Sequence, residues 1–436
     1  MSADAVRRGR ARPVTAPLRR EAPSVSPIVP SVLRSPMARR TMATWVALIG
    51  ILACVFLART LIARSLGPSG IGLYALMLTA AWLGGTVISA GLPAYNGSFA
   101  GSVQPGILLA NSIAWNVAAA AILSLVCIPA LTASGIPLAG KVMIVGVLMA
   151  PLMSLLECIR GILQGMGAIA PYNWLGLASG ALNLLAVGIL VATSRLTLGT
   201  AIASWIVSTL LSAAASVRFG AAHMGGLAAV DRRVLIGSLK FGAQAWLSQL
   251  SWILNFRIAL LLTGWLFGTA AVGLYAIAVT IVEVMFYFPN ALAVVSSPRY
   301  AAATRAEARA LLKRSSVWVL TVSSATAIAL AVVSGPLIRL VFGSAYAESS
   351  RLLVILLPGV VAYTPVAVGN WYFNAHVRRP IVNLVIAGFS AILNGTLTLI
   401  FAPVYGLAGV AWSATAAYMA ASLLSVVLIR RLSPTT

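Results

Sequence analysis

From residue 41 onward the chain is a succession of apolar runs, each about as long as a bilayer is thick. Twelve segments stand out, 41–63, 71–93, 106–134, 142–164, 171–193, 198–219, 236–262, 270–296, 316–342, 352–373, 382–402 and 408–429. A helix rises 1.5 Å per residue, so about 20 apolar residues cross the hydrocarbon core. Only 8% of the 436 residues are charged, against about 25% in soluble domains. That excludes a soluble globular enzyme. The net charge of +23 would suggest nucleic acid in a soluble protein. Here the basic residues fall between the apolar runs, so they are read as membrane topology and no nucleic-acid partner is expected. The fold class expected is an all-α polytopic membrane protein with about 12 transmembrane helices.

An even number of spans puts both termini on one side, and the basic residues say which. With the N-terminus in the cytoplasm, 23 of the 30 Lys and Arg residues are cytoplasmic, four (Arg64, Lys141, Arg195 and Arg351) are outside and three lie within spans. This is a strong positive-inside signal. The location expected is the bacterial cytoplasmic membrane. Residues 1–40 hold nine Arg and six Pro, and read as a disordered cytoplasmic tail or as an over-called start upstream of Met37. The rest divides into an N-terminal lobe over 41–220, a linker over 221–235 and a C-terminal lobe over 236–430.

The loops are too short to hold a catalytic domain, and no GxxxxGK[ST] phosphate loop is present, so the chain is read as no enzyme. His223 and His376 are read as solvated loop residues. Cys54, Cys127 and Cys158 lie within apolar runs and give neither a disulfide framework nor metal-ligand spacing. No cofactor is expected.

An internal repeat adds architecture. Ile71-Gly72-Leu73-Tyr74-Ala75 matches Val272-Gly273-Leu274-Tyr275-Ala276 at an offset of 201. Ser179 to Asn183 matches Ser390 to Asn394 at 211, and Gly199-Thr200-Ala201 matches Gly409-Val410-Ala411 at 210. Matches in order at nearly one offset imply a duplicated six-span unit. Six is even, so the two lobes are parallel repeats related by an axis along the membrane normal, with a cavity between them.

Arg64-Ser65-Leu66-Gly67-Pro68 followed by Gly70-Ile71-Gly72-Leu73-Tyr74 resembles the turn between the first two spans of the polysaccharide and O-antigen exporters, a family of the MATE-like MOP superfamily. The resemblance continues at Gly161-Ile162-Leu163-Gln164-Gly165, at Pro298, and at Asn394 followed by Tyr405-Gly406-Leu407-Ala408-Gly409. It covers residues 41 to 430. It implies a flippase for polyprenyl-pyrophosphate-linked oligosaccharides, working by alternating access. The membrane lipids, that substrate, and the polysaccharide polymerase and chain-length proteins are then the partners expected.

Charges within spans are costly and are functional candidates by default. Arg257, Arg59 and Arg339 are the candidates for a cationic substrate cavity, since a guanidinium pairs bidentately with phosphate oxygens and keeps its charge when half-buried. Snorkelling to the headgroups is the competing reading for Arg59 and Arg339. Glu283, near the midplane, is the first candidate for ion coupling, against a fixed ion pair with a cavity arginine. Glu157 is the second, against a surface pair with Arg160 three residues on. The aromatic groups Phe286-Tyr287-Phe288 and Trp371-Tyr372-Phe373 are candidates for sugar contact or interfacial anchoring. Pro129, Pro151, Pro289, Pro336, Pro358 and Pro365 are candidate hinges, and Gly161/Gly165 and Gly176/Gly180 suit close helix packing.

Four alternatives compete. A flippase for the lipid-linked peptidoglycan precursor is a relative whose members usually carry more than twelve spans. A non-transporting assembly partner is disfavoured by the duplication and the charges within spans. A multidrug or cation exporter of the same superfamily wants an acidic cavity, whereas no acid stands between Glu21 and Glu157 and the first span carries Arg59. A membrane-embedded polymerase or ligase would need a large outer loop with titratable groups, which the outer segments lack.

Overall fold

A computed structural model of the chain describes residues 36–432, and all the regular structure in them is helical. The helices are α1 (Pro36–Ser89), α2 (Leu92–Phe99), α3 (Pro105–Thr132), α4 (Leu138–Gly165), α5 (Ile169–Ala192), α6 (Leu198–His223), α7 (Arg232–Glu283), α8 (Tyr287–Ala302), α9 (Arg305–Val341), α10 (Ala347–Trp371) and α11 (Ile381–Leu432). Single 3₁₀ turns join α7 to α8 and α9 to α10, and a π-helical turn follows α10. Nine helical stretches among the described residues are long and apolar enough to cross a membrane. The chain is therefore a multi-pass membrane protein. Up to residue 35 the expected tail lies outside the described residues; its last five residues already belong to α1.

Nine differs from the expected twelve because three long helices are each two helices joined at a non-helical glycine: α1 at Gly67, α7 at Gly268 and α11 at Gly406. Gly67 and Gly268 share one conformation, φ 66 and 80 with ψ −175 at both. Side-chain-bearing residues rarely adopt it. Gly67 also precedes Pro68, whose ring excludes the helical region for the residue before it and then suits the first turn of the next limb. Counted as limbs, α1, α7 and α11 supply two each, and the breaks fall in the turns read from the sequence.

The turns also show the duplication. Six connections are assigned to the outside by the arginine distribution, and each holds one residue of positive φ: Gly67, Gly135 and Ser194 in the first half, Gly268, Gly343 and Gly406 in the second. Gly135 and Gly343 have φ 100 and 104. Gly167 and Arg378, in corresponding turns at the other end, are also left-handed.

The halves meet most closely at equivalent residues. A Cβ on Gly72 would lie 1.9 Å from the Thr269 carbonyl oxygen, and one on Gly273 would lie 2.0 Å from that of Pro68. Gly72 and Gly273 are 201 residues apart, as are Pro68 and Thr269. The contact is thus reciprocal, as a pseudo-two-fold axis requires. Around this seam the Tyr346 hydroxyl donates to the Ala63 carbonyl at 2.8 Å, and Arg64 donates to the Leu340 carbonyl at 2.8 Å. The latter satisfies an acceptor left open at the end of α9.

At the arginine-rich end, Gly91 and Gly242 approach backbone to backbone, each leaving no room for a Cβ on the other. The Trp246 indole donates to the Thr86 carbonyl at 2.9 Å. The connection from α6 to α7 runs only from residue 224 to 231, shorter than the linker expected, because both helices extend into it. Asn111 holds its end with two bonds to the Asp231 backbone, each 3.0 Å, and the Asp231 carboxylate caps α7.

The glycine pairs pack as their spacing suggests: Gly161 and Gly165 against Pro93 and Gly97, Gly176 and Gly180 against Ile51 and Cys54. The helices holding Pro129, Pro151, Pro336, Pro358 and Pro365 run on through them, Pro289 stands in the first turn of α8, and the three internal breaks fall at glycines. Two expectations need correction. Tyr372 and Phe373, at the start of the π-helical turn, are fully buried core residues. His376 is half-buried in that turn, stacked on Tyr372 and 3.1 Å from the Tyr300 carbonyl, and is no solvated loop residue.

Candidate functional site

Three charges within the helices, Arg59, Arg257 and Glu283, converge on the second limb of α7. Thr280 and Glu283 lie three residues apart there, on one helical face. Arg257, from the first limb of the same helix, pairs with Glu283 at 3.0 Å. Arg59, from the first limb of α1 in the other half, donates to the Thr280 hydroxyl at 3.1 Å. One limb thus receives a guanidinium from each half. Arg257 and Glu283 are 20% and 26% exposed, so the pair faces an accessible space. Glu283, Arg257, Tyr74 and Tyr287 all lie within electrostatic reach of Arg59. Two guanidiniums and one carboxylate leave a net positive charge. Inside an apolar protein the field of that charge is little screened.

Two apolar features flank this cluster. Phe256, Phe286, Tyr363 and Tyr418 form a group of ring contacts, with centroids 5.1 to 6.1 Å apart. Arg257 follows Phe256 in the chain, and Glu283 stands three residues before Phe286. Phe286 is therefore a core residue. Tyr287 and Phe288 are more than a third exposed. On the other side a crevice of about 260 Å³ opens between α1, the end of α7 and α9. Its lining includes Phe56, Ile281, Val284, Met285, Phe288 and Leu330. Phe56 is one turn from Arg59, and Ile281 and Val284 follow Thr280 and Glu283 in the chain, while the lining itself holds none of the charged groups.

The remaining candidates stand elsewhere. Arg339 is exposed in the last turn of α9 and has no ion-pair partner among the described residues. A cation there complements the helix dipole, and the structure does not bring it to Arg59 and Arg257. Glu157 pairs with Arg160 at 2.7 Å, with side chains 56% and 32% exposed, on the surface of α4.

The overall shape has counterparts among solved transporters. An inward-facing multidrug-resistance MATE transporter of the MOP superfamily superposes with a TM-score of 0.70 at 14% identity, over 90% of this chain and 98% of that one. The lipid II flippase MurJ in an inward closed conformation gives 0.66 at 15% identity, over 90% of this chain and 87% of that one. A MOP-superfamily transporter from Pyrococcus furiosus, described as having a binding pocket of reversed polarity, gives 0.56 at 14% identity, over 92% and 96%. The chain has the fold of the MOP-superfamily transporters. A family model described as polysaccharide biosynthesis protein matches residues 174–351, and no curated protein sequence matches the chain. The family match lies within the 41–430 span of the resemblance read from the sequence, and the solved structures share the fold.

Sequence reasoning missed Thr280, although Thr79 precedes it at the repeat offset of 201 and flagged the position. It also missed a polar cluster between α7 and α11. There the buried Asn394 amide donates to the Asn255 carbonyl at 3.4 Å. The side-chain amide of Asn255 and the hydroxyl of Ser390 are buried without a partner among the described residues. Such groups are uncharged, and nothing in an apolar sequence marks which of them face each other.

Proposed function

We propose that this chain is a flippase that moves polyprenyl-pyrophosphate-linked oligosaccharide repeat units across the bacterial cytoplasmic membrane, for surface polysaccharide assembly. One observation carries the reading: Arg59 and Arg257, one from each half, meet on one limb of α7 beside an apolar crevice. A pyrophosphate-linked lipid has the matching chemistry, a dense anionic head continuous with an apolar chain. Guanidiniums offer the head planar donors, and the crevice offers the first isoprene units an apolar wall. A cation exporter fits this arrangement poorly, because the site carries net positive charge.

In this reading each helical limb crosses the membrane once, with both termini in the cytoplasm. The halves rock about the pseudo-two-fold axis, closing at Gly72/Gly273 on the outside and at Gly91/Gly242 on the inside. Glu283 holds Arg257 while the site is empty. Arrival of the pyrophosphate offers Arg257 a second anion. The released carboxylate is then free to take up a proton, which couples the cycle to the proton gradient. A polysaccharide polymerase and chain-length proteins take the product on the outer face.

The test is a deletion strain. Its polyprenyl lipids are extracted, the leaflet holding the sugar-linked form is assayed, and surface polysaccharide is measured. The expected result is accumulation of single repeat units on the cytoplasmic leaflet with loss of surface polymer, restored by the parent chain and not by Arg257→Ala at equal membrane abundance. Repeat units accumulating on the outer leaflet point instead to polymerisation or ligation. Normal lipids with altered drug sensitivity refute the reading.

A further inference from the structure

The repeat that relates the two halves singles out one residue that the charge cluster does not include. In the second half, Tyr275, Val279 and Glu283 follow one another at four-residue spacing down one face of the second limb of α7. Their equivalents at offset 201 are Tyr74, Leu78 and Trp82 in the second limb of α1. The register is firm there, since Gly67 and Gly268 share a conformation and Gly72 and Gly273 pack reciprocally. Trp82 therefore occupies in one half the place that Glu283 occupies in the other.

Local packing agrees. Gly84 and Gly85 pack against Ala150 and Met153, and Met77 packs against Gly146, so α4 covers that side of the limb. Trp82 lies off that side, two turns along the limb from Tyr74, and both Tyr74 and Glu283 lie within electrostatic reach of Arg59. Trp82 is 53% exposed. Its indole has no ring contact and its N–H no acceptor among the described residues. In contrast, Trp115 and Trp246 have their N–H groups bonded to carbonyls at 2.7 and 2.9 Å.

Depth separates this residue from an interfacial anchor. Exposed tryptophans of membrane helices gather at the headgroup level. Trp265 and Trp412 fit that pattern, three and six residues from the outer turns at Gly268 and Gly406. Trp82 stands 15 residues beyond Gly67, as Glu283 stands 15 beyond Gly268. At 1.5 Å per residue, both lie roughly 22 Å from the outer turns, and Trp82 is roughly 13 Å from the break at Gly91 on the other side, within the hydrocarbon depth. An unpartnered indole at that depth has an N–H that lipid tails cannot satisfy.

We propose that Trp82 is a carbohydrate-stacking residue of the transport site. Its ring face takes the apolar face of a hexose, and its N–H donates to a sugar hydroxyl, while Arg59 and Arg257 hold the pyrophosphate. An aromatic body with a polar tip suits a ligand with both kinds of surface. The assignment rests on the flippase reading and extends it, by giving the sugar its own recognition element in the first half.

The experiment has two arms. In the deletion strain, Trp82→Leu keeps an apolar side chain that a lipid-facing position tolerates, and Trp82→Phe keeps a stacking face. Surface polymer is expected to fall roughly fivefold or more with Trp82→Leu and to be largely retained with Trp82→Phe, at equal membrane abundance. In nanodiscs, the purified full chain is titrated with undecaprenyl pyrophosphate and with the same lipid bearing N-acetylglucosamine. The parent is expected to favour the sugar-bearing lipid roughly fivefold. Trp82→Leu should erase that preference and keep the affinity for the bare lipid. Normal polymer with Trp82→Leu, or an unchanged ratio between the two lipids, overturns the assignment and places Trp82 against lipid. Failure of the parent to bind either lipid overturns the flippase reading and this inference with it.

Discussion

The seam at Gly72 and Gly273 gives the sharpest test of how the halves move. Replacing Gly72 with Ala would put a Cβ 1.9 Å from the Thr269 carbonyl oxygen and 2.9 Å from the Gly273 nitrogen. Both neighbours are backbone, so no side chain can swing aside. Real Cβ contacts lie beyond about 3.0 Å, so the two limbs must part by about 1 Å. Overpacking of this kind costs about 1–3 kcal/mol. On the proposed alternating-access reading that cost falls on the state in which the seam is shut, and shifts the equilibrium toward the state open at this end by roughly 5- to 150-fold. Gly273→Ala should act alike, because its Cβ would meet the Pro68 oxygen at 2.0 Å. Gly188→Ala is the control, since no heavy atom lies within 4 Å of that Cβ and Ala is the better helix former. The assay is a spin-label distance between the outer ends of α1 and α7 in nanodiscs, with transport measured in the same preparation. Lengthening of the mean distance in both seam variants, with none in the control, is the expected result. An unchanged distance with normal transport refutes the assignment of this seam as a moving surface. An effect in only one seam variant refutes the reciprocity.

Four further outcomes follow from the same geometry. Glu283→Gln should remove the dependence of transport on external pH, and a profile identical to the parent's leaves Glu283 as a structural partner of Arg257. Glu157→Gln, which breaks only the exposed pair with Arg160, should leave transport and its pH profile within about a factor of two, in line with the small worth of surface ion pairs. Gly67→Ala meets no atom within 4 Å yet needs a backbone conformation rare for alanine; it should lower stability by about 1–3 kcal/mol, read as a lower melting temperature in nanodiscs. Arg339→Gln should leave transport unchanged, in contrast to Arg59→Gln, and a loss equal to that of Arg59→Gln would return Arg339 to the substrate path.

The sequence by itself determined the class, the duplication and the charges. Apolar runs longer than a bilayer is thick have one stable outcome, and the scarcity of charge excludes a soluble surface, so the helical membrane fold was legible from composition and period alone. The repeat was legible because Gly-Leu-Tyr recurs at an offset of 201, at positions where backbones touch and only glycine fits. Arg59, Arg257 and Glu283 could be named because each is a rare charge in an apolar run. Their arrangement was decided only in the folded chain. Arg257 and Glu283 are 26 residues apart, and the bend at Gly268 folds them together; Arg59 reaches Thr280 across 221 residues. Spacing along the chain carries no record of such a meeting, because the helices are placed by packing of side chains that all look alike in hydropathy. For the same reason Arg339 read as an equal of Arg59, and Tyr372 and Phe373 read as anchors. Which face of a helix meets protein and which meets lipid is set by its neighbours, and in a chain apolar on every face only the tertiary structure tells the two apart.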